Sequence, residues 1–284
     1  MKRVGWLSLA CIALGFLTSC NMNSLENEYE AADDRNAAEI TAYAQRNNLT
    51  LSKTALGVSY QITQANPSGR TLKEGEQAEL FYKLSLLDGT VLDTALVKPA
   101  RIGFFNGAAF TGFLDAMFQL KEGEKGIFLI PSSLAFANRP PAGVPQWAVM
   151  RADIEARKYR TEVEQIQEHI AVNKLTVSRV TSTNLHLVKT GTVAAGDSLR
   201  TGDRVVVKYK GLYLDNTSFD SGDFTMLLGG GTSIKGFEEG VRLLKVGEKG
   251  TILFPSEIGY GKNGSGRIPP YTPLKFEIEI LSRN

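Results

Sequence analysis

The stretch LKEGEKGIFLIPSSLAFA at residues 120–137 returns as LKVGEKGTILFPSEIGYG at 244–261, with nine of eighteen positions identical at a constant offset of 124. The chain is therefore read as two copies of one unit before any single motif is weighed. At the same offset Phe113 lies over Phe237, Phe136 over Tyr260, Val144-Pro145 over Ile268-Pro269, and Ile154 over Ile278. Upstream the offset becomes 127, where ELFYKLSLLDGTVLD (79–93) lies over VVKYKGLYLDNTSFD (206–220) and pairs Tyr82 with Tyr209 and Asp93 with Asp220. Further upstream, NNLTLSK (47–53) lies over NKLTVSR (173–179).

Within a copy the body reads as strands. LKFEIEIL at 274–281 puts Leu274, Phe276, Ile278 and Ile280 on one face and Lys275, Glu277 and Glu279 on the other, the alternation of a half-buried antiparallel strand. RVVVKYKGLYL runs into Asp215-Asn216, a turn signal. One short helix interrupts the strands: in IKGFEEGVRLL (234–244), Ile234, Phe237, Val241 and Leu244 share a face. The predicted fold class is α+β, two tandem domains, each a curled antiparallel sheet around one short helix.

A leading helix is predicted before each domain. In the second copy Tyr159, Val163, Ile166 and Ile170 recur at helical spacing, and in the first the Ala- and Glu-rich segment 26–46 places Ile40 where Ile166 sits. Such helices either pack on their own domain or act as spacers, and so short a stripe argues against a dimerising coiled coil.

The N-terminus belongs to export and not to the fold. MKRVGWLSLACIALGFLTSC has Lys2 and Arg3, an apolar run from Val4 to Leu17, then small residues. That run is shorter than the ~20 residues of a spanning helix. LTSC at 17–20 resembles the bacterial lipoprotein lipobox, which implies a lipid on Cys20 and removal of 1–19. Cys11 would go with the signal, leaving Cys20 without a disulfide partner in an oxidising compartment. The expected location is the bacterial cell envelope, anchored to a membrane by that lipid and facing the periplasm. Loss of Lys2 and Arg3 leaves 30 basic against 30 acidic residues, so no electrostatic footprint points to nucleic acid. His169 and His186 are the only histidines, too few for a metal site, and are expected to be exposed or capping. LLGGG at 227–231 lacks the following Gly-Lys-Ser/Thr of a phosphate loop and reads as a turn into a helix. No cofactor is expected.

In order and spacing, VVVKYKGLYLDNTSFDSG, FTMLLGGGTSIKGFEEGV, VGEKGTILFPSEIGYG and RIPPYTPLKFEIEIL resemble the FKBP-type peptidyl-prolyl cis-trans isomerases over residues 183–282, and more faintly over 56–157. The resemblance implies catalysis of X–Pro rotation in proline-containing unfolded or exported polypeptides. The barrier to that rotation, ~18–20 kcal/mol, exists because amide resonance holds the bond planar. A catalyst needs to bind the twisted amide better than the planar one, which a dry aromatic cup with a few fixed donors can do. Carried over by the resemblance, Phe219, Phe224, Phe237, Ile268 and Phe276 are the walls and floor that receive the proline ring. Tyr260 hydroxyl and the Ile234 backbone N–H hold substrate carbonyls, and Asp220, close to Tyr209, supplies an acceptor at the rim. In GYGKNGSGRIPPYTP (259–273) the glycines present Tyr260, the polar loop is a mobile flap, and the prolines fix Ile268.

The second copy departs from the family pattern at the short SGD segment after Asp220, at Ser233, and at Phe237 where many members have Trp. The first copy departs more: Leu92 replaces the wall Phe, Phe136 lacks the tyrosine hydroxyl, Ala152 replaces the partner of Phe276, and the segment between Asp93 and Phe113 is three residues longer. Weak or absent turnover is expected there. The resulting division is an export signal at 1–19, an anchored tether and helix at 20–50, a degenerate domain at 51–157, a linker helix at 158–174 and an isomerase domain at 175–284. A chaperone or adaptor that binds chains without turnover is the alternative. It rests on a first pocket rich in Phe104, Phe105, Phe110 and Phe113. A structural spacer, in which neither pocket binds proline peptides, is the third reading.

Overall fold

The computed structural model describes residues 16–105, 107–190 and 197–284, with side chains in the first helix from Glu26 onward. The segment 1–19, expected to be an export signal, therefore lies largely outside the described residues, as does the side chain of Cys20. The elements run α1 (Phe16–Arg46), β1 (Ser52–Lys53), β2 (Ser59–Gln64), β3 (Gln77–Leu86), β4 (Val91–Gly103), α2 (Thr111–Phe118), β5 (Lys125–Ile130) and β6 (Met150–Arg160). They continue with α3 (Glu162–Val172), β7 (Arg179–Val180), β8 (His186–Thr190), β9 (Arg204–Leu212), β10 (Ser218–Leu227), α4 (Lys235–Arg242), β11 (Lys249–Phe254) and β12 (Leu274–Arg283). Short 3-10 turns follow β5 at Ser132–Leu134 and β11 at Ser256–Ile258.

Two six-stranded antiparallel sheets result, ordered β1-β2-β5-β6-β3-β4 and β7-β8-β11-β12-β9-β10. The orders are the same topology written twice, as the internal repeat predicts. The chain divides into two compact units. One takes residues up to Gly69 with Phe81–Pro99 and Ala109–Ala156; the other takes Arg70–Leu80, Ala100–Ala108 and Arg157–Asn284.

In the second unit the inward residues of β12 are buried as the alternation requires, with Leu274 and Ile280 at 0% exposure. They meet Phe237, Val241 and Leu244 from the helix segment, and Ile252 and Phe254 from β11. Full burial of one such aliphatic or aromatic side chain stabilises by about 1.5–3 kcal/mol, so the helix is held on the sheet by its apolar face and not by its length of two turns.

The outer face departs from the alternation, because Lys275 is buried. Helix α3 covers that side, with Ile166 at 0% exposure packed on Val188 and Leu253 and with Ile170 and Leu214 beside it. Lys275 keeps its ammonium bonded to Asn216 Oδ1 at 2.5 Å, and burial pushes its pKa down. The same cover buries His169, contrary to the expectation of an exposed histidine; desolvation and the Lys275 charge push its pKa down. His186 is buried too, with Nδ1 against the Asn184 carbonyl at 3.0 Å.

The leading helix of the second copy starts later than its periodicity suggests. Tyr159 belongs to β6 and is buried there, and Thr161 stops the strand as the N-cap of α3. Thr161 Oγ1 accepts from Glu164 N–H at 3.2 Å and Glu164 Oε2 accepts from Thr161 N–H at 2.7 Å, a capping box that outweighs the apolar spacing through Tyr159. In the first unit α1 buries Ala32, Asn36, Ile40 and Tyr43, and Ile40 and Tyr43 pack on Leu129 and Val149. Leu129 and Leu253 are equivalent positions of the repeat, so both leading helices pack on the outer face of their own sheet.

Candidate active site

Strand β10 carries an irregularity at the site. Its register on β9 slips between Ser218, opposite Leu212, and Asp220, opposite Gly211, so Phe219 is the extra residue of a β-bulge. A bulge re-aims its side chain, and here the Phe219 ring lies against the sheet. A Cβ on Gly211 would stand 2.5 Å from that ring and 3.1 Å from Phe276, so only glycine leaves room for both. Neither Gly211 nor the bulge carries a signal that periodicity reads.

Around Phe276 the rings form one connected group. Phe276 meets Phe219 edge-on at 5.6 Å and Phe237 at 5.2 Å, and stacks on Phe254 at 5.8 Å. Phe237, one turn into α4, also meets Tyr209 at 5.7 Å and Phe224 at 6.3 Å. Edge-to-face contacts of this kind add about 0.5–1.5 kcal/mol to the burial of each pair. Phe237, Ile268 and Phe276 are buried, while Tyr209, Phe219, Phe224, Ile234 and Tyr260 pack on them half-exposed. Eight of the nine sequence-predicted residues thus share one cluster, three of them buried and five partly exposed. Asp220, the ninth, is exposed and joined to it by the Tyr209 hydroxyl, which donates to Asp220 Oδ2 at 2.8 Å.

The rim has a definite electrostatic state. Burial, then the hydrogen bond and charge of Asp220, push the Tyr209 phenol up to about 12. Burial and the same charge push Tyr260 up. Both phenols are therefore neutral O–H donors at physiological pH. Ile234 is the N-cap of α4 with an extended backbone (φ −63°, ψ 147°), placing its amide ahead of the helical hydrogen-bond ladder.

The loop 261–273 is tied to the scaffold by a residue that sequence reasoning missed. Tyr213 Oη donates to the Arg267 carbonyl at 2.6 Å, and its ring meets Phe219 at 5.2 Å. Ser265 and Ile268 exchange backbone bonds at 2.8 and 2.9 Å, and Tyr271 N–H reaches the Gly261 carbonyl at 3.0 Å. The prolines after Ile268 thus continue a segment already pinned on both sides.

The first unit repeats the rim and loses the walls. Tyr82 Oη donates to Asp93 Oδ2 at 2.6 Å, and the phenol is pushed up to about 12 by burial, then by the bond and charge of Asp93. Tyr82 meets Phe113 at 5.4 Å, and Phe110 meets Phe113 at 5.7 Å and Phe136 at 5.1 Å. Val97, at the position of Phe224, is 99% exposed, so that wall is absent. Phe104 and Phe105 fall in the other compact unit, and the Phe105 ring folds over Gly103 of its own strand.

The described chain matches the family model of FKBP-type peptidyl-prolyl cis-trans isomerase over residues 68–156 and 196–281. Peptidyl-prolyl cis-trans isomerase FKBP9 of Homo sapiens is 26% identical over 220 residues, which is 75% of this chain and 35% of FKBP9, so the chain spans about a third of that relative. The FK506-binding protein of Neisseria meningitidis serogroup C is 43% identical over 86 residues, covering 28% of this chain and 79% of that protein. Among solved structures, the three FKBP domains of wheat FKBP73 align over 83% of this chain and 99% of that one, with a TM-score of 0.41 and 21% identity. With both matched segments falling on the two repeats, the chain belongs to the FKBP-type peptidyl-prolyl cis-trans isomerases and carries the family's domain twice.

Proposed function

We propose that the second domain isomerises X–Pro bonds in exported polypeptides, and that the first domain has weak turnover or none. The observation that carries this is the ring group centred on Phe276, buried at Phe237, Ile268 and Phe276 and partly exposed at Phe219 and Phe224, with two neutral phenols and the Asp220 carboxylate at its edge. An apolar floor receives a proline ring by removing it from water, at roughly 25 cal/mol per Å². Phenol O–H and backbone N–H donors at the rim hold the flanking carbonyls while the imide turns. Loss of resonance in the twisted state makes it the better guest of such a site. In this reading Tyr260 and the Ile234 amide are the donors, Asp220 the rim acceptor, and Phe219, Phe224, Phe237, Ile268 and Phe276 the walls.

The reading extends to place. The lipobox-like LTSC and the lone mature thiol support a lipid on Cys20 and an envelope location, and the internal repeat supports a division into domains at 51–157 and 175–284. The test is isomerisation of a proline-containing tetrapeptide by the whole chain, followed by exchange spectroscopy. Acceleration is expected, and its loss in Phe276→Ala; a folded chain without acceleration would refute the enzyme.

A second reading, holding of unfolded chains by the first domain, draws on the apolar residues Leu96 and Val97 exposed on β4. Suppression of aggregation that survives Phe276→Ala would assign it to that domain.

A further inference from the structure

Each leading helix reaches the 3-10 turn that precedes the rim aromatic, and the two repeats do so with different side chains at the same position. In the second unit Glu162 Oε2 accepts from the Ser256 backbone N–H at 2.5 Å, and Oε1 accepts from the Ser256 hydroxyl at 2.7 Å. In the first unit Asn36 Oδ1 accepts from the Ser132 N–H at 2.7 Å while its Nδ2 donates to the Trp147 carbonyl at 2.9 Å. The buried Ser132 hydroxyl then has no partner among the described residues. The contrast follows from the inventory of the two groups: a carboxylate offers two acceptor oxygens, an amide one acceptor and a donor.

These bonds fall where a helical turn needs them. The first N–H groups of any helix lack a partner inside it, and Ser256 opens its turn. A charged acceptor on such a donor makes a short, strong bond. The turn closes through Gly259 N–H on the Ser256 carbonyl at 2.8 Å, and Tyr260 is the next residue. Glu162 is itself held, as the residue after the N-cap Thr161 in the capping box of α3.

We propose that Glu162 is a positioning residue of the second domain: it grips Ser256 at both donors, fixes the turn that aims Tyr260, and makes α3 part of the isomerase domain. The inference rests on the role given to Tyr260 above.

The test uses the full chain with Glu162→Ala, Glu162→Asp and Glu162→Gln, each checked for fold by circular dichroism. Glu162→Ala and Glu162→Asp should lower kcat/KM for the tetrapeptide by about tenfold, whereas Glu162→Gln, which can still accept from the Ser256 N–H, should keep at least about half. Full activity in folded Ala and Asp variants would overturn the inference, as would a folded Gln variant no better than Ala. Should Glu162→Ala not fold, the Asp and Gln variants decide. If the unmodified chain proves inactive, the enzyme reading fails by itself and the Tyr260 amide resonance judges Glu162. It should move in the Asp variant and stay in the Gln variant, and an unmoved resonance in both would refute the positioning role.

Discussion

Phe128 and Ala152 face each other across β5 and β6, in the register where the second domain has Ile252 facing Phe276. The large ring has changed strands between the repeats. Because directly opposed residues share a face of the sheet, the ring volume removed at Ala152 is returned at Phe128, which stacks on Tyr60 at 5.8 Å. The first core is therefore filled from the neighbouring strand, and the floor that Phe276 provides in the second domain has no counterpart.

Exchange of the pair is expected to be strongly non-additive. Ala152→Phe alone overpacks a site at 0% exposure and Phe128→Ile alone leaves a void, each costing about 1–3 kcal/mol. The double variant should recover at least half of the summed loss, because the two sites share one space. Urea unfolding of the four proteins measures the coupling, and strict additivity would deny the exchange.

The Tyr209–Asp220 pair is open to titration. Burial is the first cause of the raised Tyr209 pKa of about 12 and Asp220 the second. In Asp220→Asn the phenol should therefore titrate lower than in the parent yet stay above its ordinary value of 10.0. A tyrosinate absorbance titration compared with the parent isolates it. By linkage, stability drawn from the raised value is full below 10 and lost as pH rises through the folded value.

Helix α3 should prove indispensable to the second domain. Ile166 is at 0% exposure against Val188 and Leu253, and Ile→Ala in such a site costs about 2–5 kcal/mol. Residues 161–284 should fold with a sharper and later urea transition than residues 175–284, and Ile166→Ala in the longer piece should approach the shorter one. Equal transitions would return α3 to the status of a connector.

Glu162 gives a pH signature of its own. Burial pushes its pKa above the ordinary carboxylate value, with the Glu257 charge adding to the rise and the Ser256 bonds opposing it. A raised folded value means the folded chain binds the extra proton. Its contribution is therefore full below the unfolded value and lost as pH rises through the folded one. Glu164, Glu168, Glu238 and Glu248 are lowered and act in the opposite sense, so the readout is the difference from Glu162→Gln. On acidification from neutral pH toward the unfolded value, the parent should gain stability relative to that variant.

What could be read without coordinates was whatever repeats or alternates locally. The 124-residue offset implies the duplicated topology, the period of two in LKFEIEIL places Phe276 inside, and the family pattern names the nine site residues. Such signals survive because backbone pleat and helical pitch impose them on neighbouring residues whatever the rest of the chain does.

Other features arise only when distant segments meet. The outward alternation of Lys275 says exposed, yet α3 lies over it; the spacing through Tyr159 says helix, yet the Thr161 cap ends a strand there. Tyr213 holding Arg267 and Glu162 holding Ser256 are contacts between side chains and backbone far apart in sequence, and Gly211 yields space to Phe219 only once β9 and β10 pair. By itself the sequence determined the two curled sheets and the composition of the ring group, because local periodicity and duplication encode them. Tertiary structure alone decided which face each leading helix covers and which side chains hold the rim in place, because close packing and the pairing of buried polar groups are settled between segments and not along them.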